Sequence, residues 1–460
     1  MAKRQRHYEM NMTEGPLVGK IIRFSLPLMF SGILQLLYNA ADVVVVGRFA
    51  SAHALAAVSS TGSLINLIVT VFMGLSLGAS VTAAQAYGAG KHKDVEETVH
   101  TTIALALICG VAVSVTGMIF GKPLLRLMDT PDEVLDLAGQ YVSIYFAGSV
   151  FNLLYNFGAA LLRAVGDTRR PMYFLIISGA VNVVLNMIFV ILFRMSVAGV
   201  ALATVISQVV SAVLVVVCLL RSHGSVRLNP RRIRIVKDKA LSLVKIGLPA
   251  GLQGAIFSFS NVLIQSSINS FGADAMAGNG AGANIEGFSY TAMNAFYTAS
   301  LTFTSQNLGA RKPERLGKIM LACQACVAVT GLAVGFLMYT FSAQLVGIYC
   351  VEPHVIAYGV KRLSVIAMAH FVCGMMDVFV GGLRGMGNSF TPMIISILGA
   401  CVMRVVWIYT VFAAFRSLDV LYLSYPISWV LTCTAQGVCY TLVKRKVTRR
   451  IRMEDAALAE

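Results

Sequence analysis

Apolar runs recur along this chain at lengths that only a membrane requires. They cover roughly 21–47, 54–84, 97–120, 138–161, 172–193, 197–220, 242–270, 278–305, 318–341, 358–382, 393–414 and 420–443. Each reaches the ~20 residues, at about 1.5 Å per residue, that cross a hydrocarbon core of about 30 Å. Lipid offers no partner to a backbone N–H or C=O, so such runs fold as helices or as closed barrels. These runs are continuous rather than alternating, which argues against a barrel. Only 13% of the 460 residues are charged, about half the share usual in a soluble protein. The sequence therefore predicts an all-α integral membrane protein with twelve transmembrane helices.

The net charge of +16 has a topological explanation. With both tails on one side, seven of the 37 Lys and Arg fall on the other side or at its helix ends: Arg48, Lys122, Arg126, Arg194, Lys361, Arg362 and Arg416. Arg404 lies inside a span, and the remaining 29 sit in the tails and in the loops on their side. Cytoplasmic loops carry such an excess, so both termini are expected in the cytoplasm, and nucleic acid is not an expected partner. The first apolar run is too long for a signal peptide and is read as a retained helix. The nine cysteines are scattered, mostly within apolar runs, and do not form a disulfide framework. "CQAC" at 323–326 lacks a second ligand pair.

The two halves of the chain match. "FSLPLMFSGILQLLYNAAD" (24–42) aligns with "IGLPAGLQGAIFSFSNVLI" (246–264), Pro27 over Pro249 and Asn39 over Asn261. "AQAYGAGKHKDV" (84–95) aligns with "SQNLGARKPERL" (305–316), and "LLRAVGDTRRPM" (161–172) with "GLRGMGNSFTPM" (382–393). The offset is 222 in the first block and 221 in the other two. This predicts a cytoplasmic tail (1–20), an N-lobe of six helices (21–220), a basic linker (221–241), a C-lobe of six helices (242–443) and a second tail (444–460). Two parallel pseudo-symmetric lobes around a central cavity are a transporter arrangement.

Three acids fall within spans: Asp42, Glu286 and Asp377. An ionised carboxylate facing lipid mid-helix costs about 2.5–3.5 kcal/mol on insertion scales, so such residues face protein or water and mark function. Gln35, Tyr38 and Asn39 share a helical face with Asp42, at i−7, i−4 and i−3. Ser178, Asn182 and Asn186 form a second stripe. Asp42 follows Pro27 by 15 residues, and Asn186 follows Pro171 by 15, so both reach about 22 Å above their helix starts. Thr204, on the returning helix, falls near that level. Asp42, Asn182, Asn186 and Thr204 are thus expected to form one oxygen-rich pocket that suits a proton or Na+. In the second half the candidates are Asn261, Gln265, Glu286, Tyr290, Asp377 and Arg404, with Arg404 free to pair with Glu286 or Asp377. "GAGK" at 88–91 fails as a phosphate loop because Gln85 replaces the first glycine and His92 the Ser/Thr. No hydrolase or zinc-protease motif is present.

Together "FSLPLMFSGILQLLYNAADVVVVGR", "AQAYGAGKHKD", "LLRAVGDTRRPM", "NVVLNMIF" with "VAGVALAT", "SQNLGARK" and "GLRGMGNSFTPM" resemble the multidrug and toxin extrusion (MATE) family over nearly the whole chain, nearer the DinF-like than the NorM branch. The resemblance implies a secondary antiporter of the bacterial plasma membrane, monomeric in the lipid bilayer. Such an antiporter exports small organic compounds, often cationic, in exchange for H+ or Na+, with no other cofactor. It also implies that Asp42 is the first-helix acid of a cation site to which Asn39, Asn182, Asn186 and Thr204 contribute. Asn186 stands where an acid often occurs, and Phe257 lies near the place of the NorM seventh-helix acid, which this chain lacks. Gln35, Tyr38, Asn261, Gln265, Glu286, Tyr290, Asp377 and Arg404 are the expected cavity residues. The alternatives are a lipid-linked oligosaccharide flippase and, from another class, a channel or receptor.

Overall fold

A computed structural model describes residues 8–128, 130–222 and 224–459. The helices are α1 (Leu17–Phe49), α2 (Ala52–Gly88), α3 (His92–Leu127), α4 (Asp132–Ala147), α5 (Ser149–Ala164), α6 (Arg169–Asn186), α7 (Ser196–Arg221), α8 (Lys237–Asn269), α9 (Ala273–Gly309), α10 (Pro313–Thr340), α11 (Ser342–Gly347), α12 (Pro353–Ile366), α13 (His370–Gly385), α14 (Phe390–Ser396), α15 (Met403–Trp407) and α16 (Leu418–Ala459). Among the described residues there is no strand. Among the described residues, nine helical spans are long and apolar enough to cross a membrane, or ten if α4 and α5, bent by 47°, count as one. Two of the twelve expected spans, 278–305 and 420–443, lie in α9 and α16, which are long enough but not in that apolar set. Both spans are diluted by buried polar or small residues that face protein: Gly278, Asn279, Gly282 and Glu286 along α9, and Ser424, Ser428, Thr432 and Gln436 along α16. Large side chains such as Phe120, Phe259, Val329 and Phe336 are exposed, as expected where lipid is the solvent.

Two compact units divide the described chain. The first is Phe30–Gly251 with the segment ending at Asn11; the second is Leu252–Glu460 with Met12–Met29. Two of the three changes of unit fall within long helices, two residues after Pro27 in α1 and two after Pro249 in α8; the other, between Asn11 and Met12, precedes α1. Within the first unit, α2 and the start of α8 touch backbone to backbone through glycines. A Cβ on Gly74 would lie 2.3 Å from the Gly251 nitrogen, and one on Gly78 would lie 2.1 Å from the Leu243 carbonyl oxygen. Gly74→Ala is therefore expected to destabilise the protein by at least about 1–3 kcal/mol. The reading is thermal unfolding in detergent, with Gly280→Ala, where nothing lies within 4 Å, unchanged.

The repeated motifs are helix connections. Gly166 and Gly387 adopt φ of +91° and +83°, conformations that glycine takes without strain. The next residue then caps the following helix. Asp167 Oδ1 accepts from the Arg169 and Arg170 backbone nitrogens at 3.2 and 3.1 Å, and Asn388 Oδ1 accepts from Thr391 at 3.3 Å. Gly90 (φ +68°) and Arg311 (φ +55°) occupy equivalent left-handed positions in the other repeated pair. The basic linker is docked on the start of α3. Arg232 and Lys239 pair with Glu96 and Asp94 at 2.9 and 3.0 Å, and His100 Nε2 accepts from the Asn229 nitrogen at 3.0 Å.

Candidate functional site

In the first unit α1, α6 and α7 bring the predicted polar residues together. Asn186 closes α6 and leads into a π-helical turn, Met187–Leu192, a distortion often found at functional positions. The Asn186 amide nitrogen donates to Asp42 Oδ1 and also, at 3.3 Å, to Asn182 Oδ1. Asn182 Nδ2 in turn donates to Thr204 Oγ1 at 3.5 Å, and the Thr204 hydroxyl donates to the Val200 carbonyl at 2.9 Å. The four residues form one connected set in which Asn186 donates both to the carboxylate and to Asn182, and the further bonds run away from Asp42, from Asn182 to Thr204 and on to the Val200 carbonyl. Asn182 and Asn186 are buried and Asp42 is half-buried. Asn186 Oδ1 is buried with no partner, an acceptor left for a proton donor or a cation.

The other first-unit candidates frame this set differently. Tyr38 lies against Gly179, where a Cβ would come within 1.9 Å of the ring; it locks α1 to α6 one helical turn from Asp42. Gln35 and Asn39 are exposed. A residue that the sequence did not single out also belongs here. Tyr141 of α4 is buried, lies within electrostatic reach of Asp42 and stacks on Tyr145 at 6.4 Å. Its only sequence signal is the i, i+4 tyrosine pair near the apolar end of α4.

The second unit holds a different network. Arg362 grips both oxygens of Glu286 at 2.7 Å each and donates to Asn279 Oδ1 at 2.7 Å. Asn279 donates to Gln265 Oε1 at 3.0 Å, and Gln265 donates to Asn269 at 2.8 Å. Arg362 also lies over the Tyr422 and Tyr425 rings, at 5.6 and 5.3 Å. This corrects two expectations. Arg362 is buried in α12 rather than facing water at a helix end, and Arg404 does not pair with Glu286. Arg404 instead sits 4.3 Å above the Tyr425 ring and donates to Ser428 Oγ at 2.9 Å. A planar guanidinium satisfies itself on aromatic faces and hydroxyls, so an arginine inside a span requires no acid. Asp377 lies beside the Tyr290 hydroxyl, with Arg384 as its charged neighbour. Arg384, read as a loop residue from sequence, is buried and donates to Tyr297 and Gln253 at 2.7 and 2.8 Å. Asn261 is exposed. Among the described residues, the three-residue group with metal-ligand spacing is Asp274, Glu352 and His354. All three are exposed, and His354 already faces Asp274 at 3.4 Å.

The family model described as MatE matches this chain twice, over residues 27–188 and 249–410. The chain belongs to the MatE family. The two matches are the two halves of the repeat, and membership makes the protein a multi-pass membrane transporter rather than an enzyme. It is 26% identical over 440 residues to a probable multidrug resistance protein, YoeA, of Bacillus subtilis, covering 93% of this chain and 95% of that one. It is also 26% identical over 389 residues to the probable multidrug resistance protein NorM of Thermotoga maritima, covering 82% of each. The crystal structure of a MATE protein in complex with MaL6 superposes with a TM-score of 0.89 at 22% identity, covering 95% of this chain and 98% of that one.

The two MatE repeats differ at the site itself. By the offsets of the matched prolines, Asp42 corresponds to Ile264 and Asn186 to Trp407. The π turn after Asn186 has its counterpart in Ile408–Phe412, directly after Trp407. Ile264 is buried in an apolar cluster against which Trp407 and Tyr425 pack. The same backbone distortion thus carries a carboxylate site in the first repeat and a hydrophobic plug in the second.

Proposed function

We propose that this MatE-family chain is a proton-driven multidrug exporter of the bacterial plasma membrane, with both termini in the cytoplasm and Asp42 as the group that couples proton entry to substrate exit. The observation that carries the reading is the Asn186 amide donating to Asp42, a membrane-embedded carboxylate, within a network that Asn182 and Thr204 hold in place. Ionised Asp42 accepts from the Asn186 amide and attracts a cationic substrate. A proton taken up from outside removes that charge and supplies an O–H. The Asn186 amide then turns its Oδ1, now without a partner, to accept it. The rearranged bond changes how α1 packs on α6, where Tyr38 rests on Gly179, and so changes the helix that carries the exposed residues Gln35 and Asn39. The second-unit candidates Asn261, Gln265, Glu286, Tyr290, Asp377 and Arg404 are assigned to shaping the substrate surface, not to coupling. Both bacterial relatives are named as probable multidrug resistance proteins, and the charge asymmetry of the loops supports the orientation.

A proton is favoured over Na+ as the transported ion because Asp42 is met by an amide N–H and not by a second carboxylate. Hard cations need several oxygen ligands and gain from charge. The test is efflux of a fluorescent organic cation from proteoliposomes under a pH gradient alone and a Na+ gradient alone. Export under the first only is expected; export under Na+ only overturns the proton assignment. Asn186→Ala is expected to lower pH-driven export roughly tenfold. A hydrogen bond to a charged group is worth about 1.5–3 kcal/mol, and the variant removes both the donor and the spare acceptor. Thr204→Val, at the far end of the network, is expected to lower it less.

A further inference from the structure

The last helix carries a face that changes character along its length. Between Cys433 and Leu442, α16 and Phe379 of α13 border a shallow, open apolar groove of about 560 Å³, with Arg445 among its lining residues. Gly437 makes the groove possible, since its missing side chain lets the Phe379 ring approach to 3.3 Å of where a Cβ would stand. Val438 and Leu442 line it and are 58% and 59% exposed. The opposite face is anchored: Thr432, Gln436 and Tyr440 are buried, and Tyr440 donates to the Leu316 carbonyl at 2.8 Å.

One turn further on, the same face becomes cationic. Lys444, Arg445, Arg449 and Arg452 line the next hollow, and among the described residues none of these four forms an ion pair. The nearby acids are engaged elsewhere: Asp455 pairs with Arg311, and Glu454 with Arg311 and Arg450. The apolar stretch 420–443 rises about 36 Å, enough to cross the hydrocarbon core, so the four cations begin at the membrane boundary.

We propose that this face binds one anionic phospholipid, with an acyl chain in the groove beside Phe379 and the phosphate against Arg445 and Arg449. An apolar slot ending in unpaired guanidinium groups has the shape and charge of such a lipid, and basic clusters directly past a span recognise anionic head groups. A zwitterionic lipid would bring its own cation against four others. A soluble phosphate would leave the groove unfilled.

The test is native mass spectrometry of the purified full chain, titrated with dioleoyl phosphatidylglycerol and dioleoyl phosphatidylcholine. One retained phosphatidylglycerol is expected, favoured over phosphatidylcholine. Arg445→Gln with Arg449→Gln is expected to lower that retention roughly 10- to 30-fold. Val438→Trp, which fills the groove from an exposed position and leaves the charge intact, is expected to lower it as well. Equal retention of the two lipids by the parent overturns the proposal. So does loss in the charge variant with none in Val438→Trp, which marks a diffuse attraction with no bound acyl chain. Displacement of the adduct by millimolar inorganic phosphate would show that the head group alone is recognised.

Discussion

Asp42→Asn is expected to lower gradient-driven export sharply while leaving the protein folded. Asparagine fills the same space, and its Oδ1 can still accept from the Asn186 amide that now meets the carboxylate. What it cannot do is gain or lose a proton. Coupling is a free energy linking two binding events, typically worth 5- to 150-fold, and it vanishes when one site no longer titrates. At matched expression, accumulation of an organic cation against its gradient should therefore fall by about that range. Thermal unfolding in detergent should stay near the parent's, and Asp42→Glu should recover part of the activity. Parent-like export by Asp42→Asn would remove the basis of the proposed mechanism.

The largest expected effect on stability lies in the second unit. Glu286→Ala leaves the Arg362 guanidinium buried, with only the Asn279 amide and the tyrosine rings around it. Breaking one side of a buried ion pair costs about 3–5 kcal/mol, because the remaining charge is neither hydrated nor paired. A fall in unfolding temperature on the order of 10 °C is expected. Glu286→Leu combined with Arg362→Met removes both charges and should recover most of that loss. If the double variant is as unstable as the single one, the pair is not the source of the effect. The same comparison separates structure from transport: export that survives in the double variant assigns the pair to folding alone.

The first-unit site was legible in the sequence because it is built from local regularities. Helical spacing placed Asn182 and Asn186 on one stripe, and counting residues from Pro27 and Pro171 placed Asp42 and Asn186 at one height. The hydrogen bonds that link Asp42, Asn186, Asn182 and Thr204 follow that geometry. Tyr141 was missed because a tyrosine near the apolar end of a helix carries no positional mark; only packing brings it near Asp42. The second-unit network was misread for a related reason. Counting charges by their distance from a span end treats every arginine alike, and so it sent Arg362 to water and left Arg404 in search of an acid. The partners that decide both cases, Glu286 for Arg362 and the Tyr425 ring for Arg404, come from other helices.

By itself the sequence determined the membrane-spanning all-helical fold, the internal duplication and the family, since apolar length, loop charge and repeated helix connections are properties of consecutive residues. The tertiary structure alone decided which buried charges are compensated and which are not. That depends on atoms a few ångströms apart in space and, for Arg362 and Glu286, 76 residues apart in the chain. In a low-dielectric interior that difference separates a carboxylate held by a buried guanidinium from one that meets only an amide, as the proposed coupling requires.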